Sequence, residues 1–397
     1  MVEYYDAHKR VILDESRFTK VEHIINFIRK ETVLTIAAIL AVISMFFVKP
    51  GMEYVGYIDF RTLGILLSLM IIMEGFKRTG LFDSVGNWLL LRTKNVFSLV
   101  TILVFLCFFF SMFITNDVAL LTFVPFSLIV LKKCGRENLL IPVVALQTIA
   151  ANLGSMLTPI GNPQNLYLYE KLGVSVGDFV MILLPYTLVT GVMLIAVILC
   201  MKGKKEKVNI NNLMSTSKTD QPHNAVLAHN IVLGVLFVLA LLVVAHIIPW
   251  YFILGAVLIA VFIIDKRTLV EVDYALIFTF IAFFILIGNL GNIEAIKSFL
   301  TSVVKGREVL VSIVASQFIS NVPATLLLSE FTQDLRSLLI GVNFGGLGTL
   351  IASMASLISY KILAHNHNDI KGRYIIRFSI LNIIFLVVLI LFRMLIG

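Results

Sequence analysis

The sequence predicts an all-α polytopic membrane protein made of two inverted-topology repeats, each with a re-entrant helical hairpin and a broken helix. Three observations lead there. Of the 397 residues, 59% are hydrophobic and only 14% charged, with mean hydropathy +0.96; a soluble chain carries about 25% charged residues. Two polar clusters interrupt apolar runs: Thr115-Asn116-Asp117 after 99–114, and Thr158-Pro159-Ile160-Gly161-Asn162-Pro163-Gln164-Asn165 after 139–157. Non-helical backbone survives at bilayer depth only where protein buries it or water reaches it. Finally, the second half echoes the first in the same order.

Taken along the chain, residues 1–30 mix acids and bases and lack a signal-peptide core, so they read as a cytoplasmic segment. Spans are expected at 32–48 and 63–76, with a basic interfacial helix carrying Trp88 in 77–94. The first hairpin covers 96–131, and its second arm, 118–131, is short of the roughly 20 residues that cross a bilayer. Spans at 139–157 and 179–201 complete the first repeat, 31–201. A cytoplasmic linker, 202–224, and a connecting helix, 225–248, follow. The second repeat, 249–397, has spans at 250–264, 274–289, 338–360 and 374–396, a Gly-rich break at Gly345-Gly346-Leu347-Gly348 within the third, a loop at Asp265-Lys266-Arg267, and a hairpin at 309–331 with the tip Ser320-Asn321-Val322-Pro323.

Charge orients this plan. The chain has net charge +8 and 32 Lys and Arg. With the N-terminus inside, cytoplasmic segments hold 24 of them: six before residue 31, four in 77–94, three in 132–136, five in 202–218, two in 266–267 and four in 361–377. That bias follows the positive-inside rule and accounts for the basic balance without nucleic acid as a partner. The C-terminus is then external. The connecting helix flips the starting side, so the two hairpins enter from opposite faces. Polar tips meeting near the midplane are how many secondary transporters hold ions and substrates.

The echoes are Phe113-Ile114-Thr115-Asn116 with Phe318-Ile319-Ser320-Asn321, and Leu153-Gly154-Ser155-Met156-Leu157 with Leu347-Gly348-Thr349-Leu350-Ile351. Asn116 and Asn321 fall at matched places. Their amides can ligate sodium or donate to an anion, and the helix N-termini after each tip favour negative charge. Alternatively, the polar tip residues only cap those helices. Asp117 is the one acid in either tip, and a carboxylate at membrane depth reads as functional. Glu74, beside Lys77, reads as an interfacial ion pair. Asn162, Gln164 and Asn165 line a cavity or form a surface loop. Gly345, Gly346 and Gly348 serve close backbone approach, ion ligation by carbonyls, or helix packing. Candidate substrate and ion residues are therefore Thr115, Asn116, Asp117, Thr158, Gly161, Asn162, Gln164, Asn165, Ser320, Asn321, Thr325, Gly346, Gly348 and Thr349, with sodium expected at Asn116, Asp117 and Asn321.

At these residues the chain resembles the ion transporter superfamily, which includes divalent-anion/sodium symporters, citrate-type carriers and arsenite permeases. The divalent-anion branch carries Ser-Asn-Thr at each tip; here the tips are Thr115-Asn116-Asp117 and Ser320-Asn321-Val322. Asn116-Asp117-Val118-Ala119-Leu120 is more similar to the arsenite-permease branch, and residues 158–165 resemble bacterial anion-permease-like members. The resemblance implies a homodimer, with a scaffold domain and a mobile transport domain working as an elevator. The expected function is ion-coupled secondary transport of a small anion or oxyacid across the cytoplasmic membrane, driven by sodium or protons and without a cofactor. Arsenite efflux and sodium/proton antiport are the alternatives. Cys107, Cys134 and Cys200 have no paired or metal-ligand spacing. No nucleophile, cofactor or nucleotide motif points to an enzyme or a primary pump.

Overall fold

The computed structural model describes residues 28, 31–208, 223–366 and 370–396. The expected N-terminal segment lies almost wholly outside them, as do the centre of the linker and His367. The described residues fold into helices: α1 (Thr32–Ser44), α2 (Glu53–Tyr57), α3 (Phe60–Arg78), α4 (Leu81–Leu90), α5 (Val96–Ile114), α6 (Asn116–Lys133), α7 (Leu140–Gly154), α8 (Pro163–Leu172), α9 (Val176–Leu199), α10 (His223–Val244), α11 (Trp250–Glu271), α12 (Tyr274–Gly291), α13 (Glu294–Val304), α14 (Glu308–Ile319), α15 (Asn321–Ser329), α16 (Leu335–Gly345), α17 (Met354–Asn366) and α18 (Lys371–Ile396). Among the described residues, six helical segments are long and apolar enough to cross a membrane. Exposed apolar side chains such as Met181, Leu188 and Val192 on α9, and Ile376, Ile380 and Ile383 on α18, suit contact with lipid. The protein is a multi-pass membrane protein.

The chain divides into two compact units. The first holds Met1–Asp59 and Asp273–Ile296. Here α1 packs on α12. Asn289 donates to Ser44 Oγ at 2.8 Å and to the Tyr54 hydroxyl at 2.9 Å. A Cβ on Gly288 would lie 2.3 Å from the Tyr57 ring, so only glycine permits that approach.

The second unit holds Phe60–Val272 and Lys297–Gly397. Its helices start and stop where local chemistry dictates. Asn95 and Ser98 form a reciprocal capping box ahead of α5. Gly173, at φ +61°, closes α8 in the left-handed conformation, and Ser175 caps α9 two residues later. The centre of the unit is α7, on which every residue from Val143 to Gly154 is buried. Around it pack α5, α6, α9, α17 and α18. Gln147, fully buried on α7, donates to Leu103 O at 2.9 Å, to Phe123 O at 3.3 Å and to Ser127 Oγ at 2.8 Å, so one amide clamps α5 to α6. Elsewhere α14 packs closely on α16. There Ser312 and Ser316 face Gly341 and Gly345, and a Cβ on either glycine would lie within 2.4 Å of a serine oxygen. Small residues facing small residues let membrane helices approach this closely.

The structure corrects three expectations. The second arm of the first hairpin is 18 residues long rather than 14, because Asn116, Asp117 and the terminal lysines are helical too. Its length therefore no longer argues against a full crossing. The expected loop at Asp265-Lys266-Arg267 shrinks to one non-helical residue, Asp265 (φ −154°, ψ 86°), between two helical stretches that together make α11. Asp265 accepts there from Arg78 Nε at 2.8 Å and from Thr268 Oγ1 at 3.2 Å. The first apolar helix stops at Ser44, not residue 48. The Gly-rich break expected within 338–360 is present: α16 and α17 are separate helices, with eight non-helical residues between them. Two smaller readings agree with the structure. Trp88 is exposed on a short helix, α4, with Arg92 stacked 3.9 Å over its ring. Lys77 pairs with Glu74 at 2.9 Å.

Candidate functional site

Two turns and two helix breaks meet in the second unit. Thr115 alone separates α5 from α6, and Ser320 alone separates α14 from α15. Their backbones are nearly identical: φ 66°, ψ 148° and φ 70°, ψ 154°. This region is essentially reserved for glycine and costs about 1–3 kcal/mol per residue, so it persists only where its surroundings impose it. A one-residue reversal imposes it here.

Those surroundings are the breaks. After α7 the chain makes one short turn, extends at Thr158, and restarts at Asn162, which caps α8 by accepting from the Asn165 N–H at 2.8 Å. After α16 it crosses residues 346–353 and restarts at α17. Each tip binds the neighbouring break in the same way. Asn116 N–H donates to Gly161 O at 3.1 Å, and Asn321 N–H donates to Ala352 O at 3.0 Å. The Thr158 hydroxyl donates to Met112 O, and the Thr349 hydroxyl donates to Gln317 O at 3.3 Å.

The breaks also bind each other. Asn152, near the end of α7, accepts from Ser353 Oγ at 3.0 Å and donates to Ser356 Oγ at 3.3 Å. Asn343, near the end of α16, accepts from Asn162 Nδ2 at 3.3 Å and donates to Asn165 Oδ1 at 2.8 Å. Each member of one set has a partner 191 residues on: Asn152 and Asn343, Gly161 and Ala352, Asn162 and Ser353, Asn165 and Ser356. The sequence echo of Leu153–Leu157 with 347–351 is three residues out of this register. The better signal was Asn-x-Gly, shared by Asn152-Leu153-Gly154 and Asn343-Phe344-Gly345.

The first tip bonds Asn152 directly, and Asn152 in turn bonds the second break. Asn116 Nδ2 donates to Asn152 Oδ1 at 3.1 Å, and Asn152 Nδ2 donates to Gly346 O at 3.3 Å. A Cβ on Gly346 would lie 3.1 Å from Asn321 Nδ2 and 4.0 Å from Asn152 Cγ, so glycine keeps the three amides together. The asparagines at 116, 152, 162, 165, 321 and 343 are all at most 5% exposed. None of their hydrogen bonds goes to a lysine or arginine.

The capping alternative holds for some candidates and not others. Asn162 is a cap. Neither Thr115 nor Ser320 makes a side-chain cap. The Ser320 hydroxyl is buried with no hydrogen-bond partner among the described residues, and so is Gln164 Oε1, on a side chain 2% exposed. Asp117 follows in the first turn of α6, part-exposed, and its N–H donates to Asn116 Oδ1 at 3.0 Å. Thr325 is turned into its own helix and donates to Asn321 O at 2.7 Å. Gly348 sits at φ +116° against Gln317, whose Oε1 accepts from Thr349 N–H at 2.9 Å; Thr349 is exposed. Sequence reasoning left Asn152, Asn343, Ser353, Ser356 and Gln317 out of the candidate set. Chemically, the cluster is a nearly uncharged cage of amides and hydroxyls at two helix N-termini, with one carboxylate beside it. Such a set can bind an alkali cation through oxygens and an oxyanion or oxyacid through N–H and O–H groups.

A family model described as citrate transporter (CitMHS) matches residues 23–336. The chain is 34% identical over 343 residues to the uncharacterized transporter MJ0456 of Methanocaldococcus jannaschii, covering 85% of this chain and 90% of that one. It is 30% identical to the inner membrane protein YbiR of Escherichia coli, over 77% and 80% of the two chains. The silicon efflux transporter LSI3 of rice is 29% identical over 43% of this chain and 35% of its own. The matched region takes in both tips and the first break, and the chain accordingly belongs to the citrate transporter family of membrane transporters.

Proposed function

We propose that the chain is a secondary active transporter of a small anion or oxyacid, coupled to sodium or protons, and that the two tips and two breaks form its substrate site. The observation that carries this reading is the matched bonding of each tip to its neighbouring break. Two strained turns, held alike beside one cluster of buried amides, suit a site shared by two inverted repeats. On this reading both hairpins are re-entrant and enter from opposite faces. The protein lies in the cytoplasmic membrane, with its N-terminus inside and its C-terminus outside. It works as a homodimer whose tip-bearing part moves as an elevator. The repeats are 31–201 and 249–397, joined by the linker 202–224 and a connecting segment, 225–248, whose helix ends at Val244. Asn116, Asp117 and Asn321 hold the coupling sodium, or Asp117 carries the proton.

Two features favour a neutral or weakly charged oxyacid over a tricarboxylate. None of the six clustered amides is hydrogen-bonded to a lysine or arginine, so charge compensation would fall to helix N-termini and bound cations. The rice relative is named as a silicon efflux transporter. Arsenite efflux or sodium/proton antiport through Asp117 is the second reading.

The test is a thermal-stability screen of purified protein against citrate, succinate, phosphate, sulfate, arsenious acid and silicic acid, each with and without sodium. A ligand at a hundred times its Kd stabilises by about 2.7 kcal/mol. Asn116→Ala and Asn321→Ala should each weaken the stabilising ligand by about 1–3 kcal/mol, the cost of an unmade buried hydrogen bond. Undiminished stabilisation in both variants would place the substrate elsewhere.

A further inference from the structure

The helix that carries Gln164 and Asn165 into the site is gripped at its far end by charged groups that the site itself does not use. Glu170, with its side chain 8% exposed, accepts from Arg61 Nε at 2.6 Å. Arg61 lies in the first turn of α3. Its NH2 group also donates to Val243 O at 3.0 Å, at the end of α10, and to His246 Nδ1 at 2.7 Å. The neighbouring Tyr169 hydroxyl donates to Val244 O at 3.0 Å, and its ring lies 5.6 Å from the imidazole. Lys171 turns the other way, to Glu330 and Ser329. The end of α8 is thus pinned to α3 and α10 through one guanidinium, and one of that group's partners is an imidazole.

We infer that Arg61 and His246 position α8 through Glu170, and that a proton on His246 releases it. This rests on the proposed function only in taking α8 as part of the site. The geometry fixes the sign. Nδ1 accepts from Arg61, so it carries no proton and the ring proton sits on Nε2, 3.9 Å from Glu170 Oε2. A second proton would put an N–H on Nδ1, pointing at an N–H of Arg61. Two donors and two positive charges would then meet, and the imidazolium would compete with Arg61 for Glu170. Among the described residues the titratable and charged groups facing His246 are Arg61 from α3 and Glu170 and Tyr169 from α8. Burial, and then the Arg61 charge, hold the imidazole below its ordinary range. The neutral, gripping form is therefore complete above that range, and the grip is lost as pH falls through the lowered one. In the proposed topology Arg61, Glu170 and His246 all lie on the external side, so the sensed pH is external.

His246 has φ +60°, a conformation that asparagine tolerates well. Asparagine also places its Oδ1 near the position of Nδ1 and cannot be protonated there, so His246→Asn keeps the acceptor and removes the titration. The experiment is amide hydrogen exchange of residues 164–172 in the full chain in lipid nanodiscs, corrected for intrinsic rate, at about pH 8 and about pH 5.5. Wild type should exchange about tenfold faster at the acid pH. His246→Asn should be equally protected at both, and Glu170→Gln equally fast at both. Asp117→Asn should keep the wild-type response, which separates this grip from proton coupling at the tip. A wild type without an acid response, a His246→Asn variant that retains it, or an Asp117→Asn variant that loses it would each overturn the inference.

Discussion

Asn152→Ala is expected to abolish transport and to destabilise the folded protein by about 2–5 kcal/mol, since several buried groups lose their partners at once. The substitution removes the acceptor used by Asn116 Nδ2 and Ser353 Oγ, and the donor to Gly346 O and Ser356 Oγ. Each orphaned group sits where neither lipid nor bulk water can replace what is lost. Asn152→Asp should not rescue. It keeps an acceptor for Asn116 but loses the donor to Gly346 and brings a charge among partners that are all neutral. Chemical denaturation and proteoliposome uptake of the ligand found by the stability screen would measure both effects. Wild-type stability with wild-type uptake would show that the tips do not communicate through this residue.

Asp117→Asn should separate binding from coupling. It preserves the shape and the backbone N–H donated to Asn116 Oδ1, but it cannot exchange a proton or balance a cation. Proton and sodium would compete for one carboxylate in the wild type, which is the simplest form of coupling. Concentrative, pH-dependent uptake should fall to background in the variant, a loss of about a hundredfold or more if the carboxylate supplies the coupling charge. Exchange of labelled for unlabelled substrate down a gradient should continue. A variant that still concentrates substrate with wild-type pH dependence would return Asp117 to a structural role.

The sequence was readable where chemistry interrupts apolar runs. Thr115-Asn116 and Ser320-Asn321 stand out because polar residues are costly in a span, and both are turns between helices. Asn162 stands out for the same reason and caps a helix. Less readable were the residues that hold these turns in place. Asn152 and Asn343 lie within apparently continuous apolar helices, and nothing local announces that each reaches a helix start in the other half of the chain. Their shared Asn-x-Gly was visible but was outcompeted by a chance Leu-Gly match three residues away, as apolar sequence readily allows. The α7 break was seen at residue 158. The break after α16 was legible as Gly345-Gly346-Leu347-Gly348, but its extension to residue 353 was not, because Leu347, Leu350 and Ile351 keep the segment hydrophobic. Thr325 and Thr349 are polar and near a tip, yet one bonds its own helix and the other is exposed; spacing alone does not report which way a side chain turns. The grip on α8 joins Arg61, Glu170 and His246 across 185 residues, and long-range pairing of single charges leaves no periodic trace.

The central claim is that the two tips belong to hairpins entering from opposite faces, and sidedness tests it most directly. Lys132 and Lys305 are both exposed, at the base of the first hairpin and just before the second. With Cys107, Cys134 and Cys200 replaced, a single cysteine at each position is treated with a membrane-impermeant thiol reagent on intact cells and on inside-out vesicles. The account predicts that Lys305→Cys reacts from the outside and Lys132→Cys only from the inside. Reaction of both from the same side would contradict it.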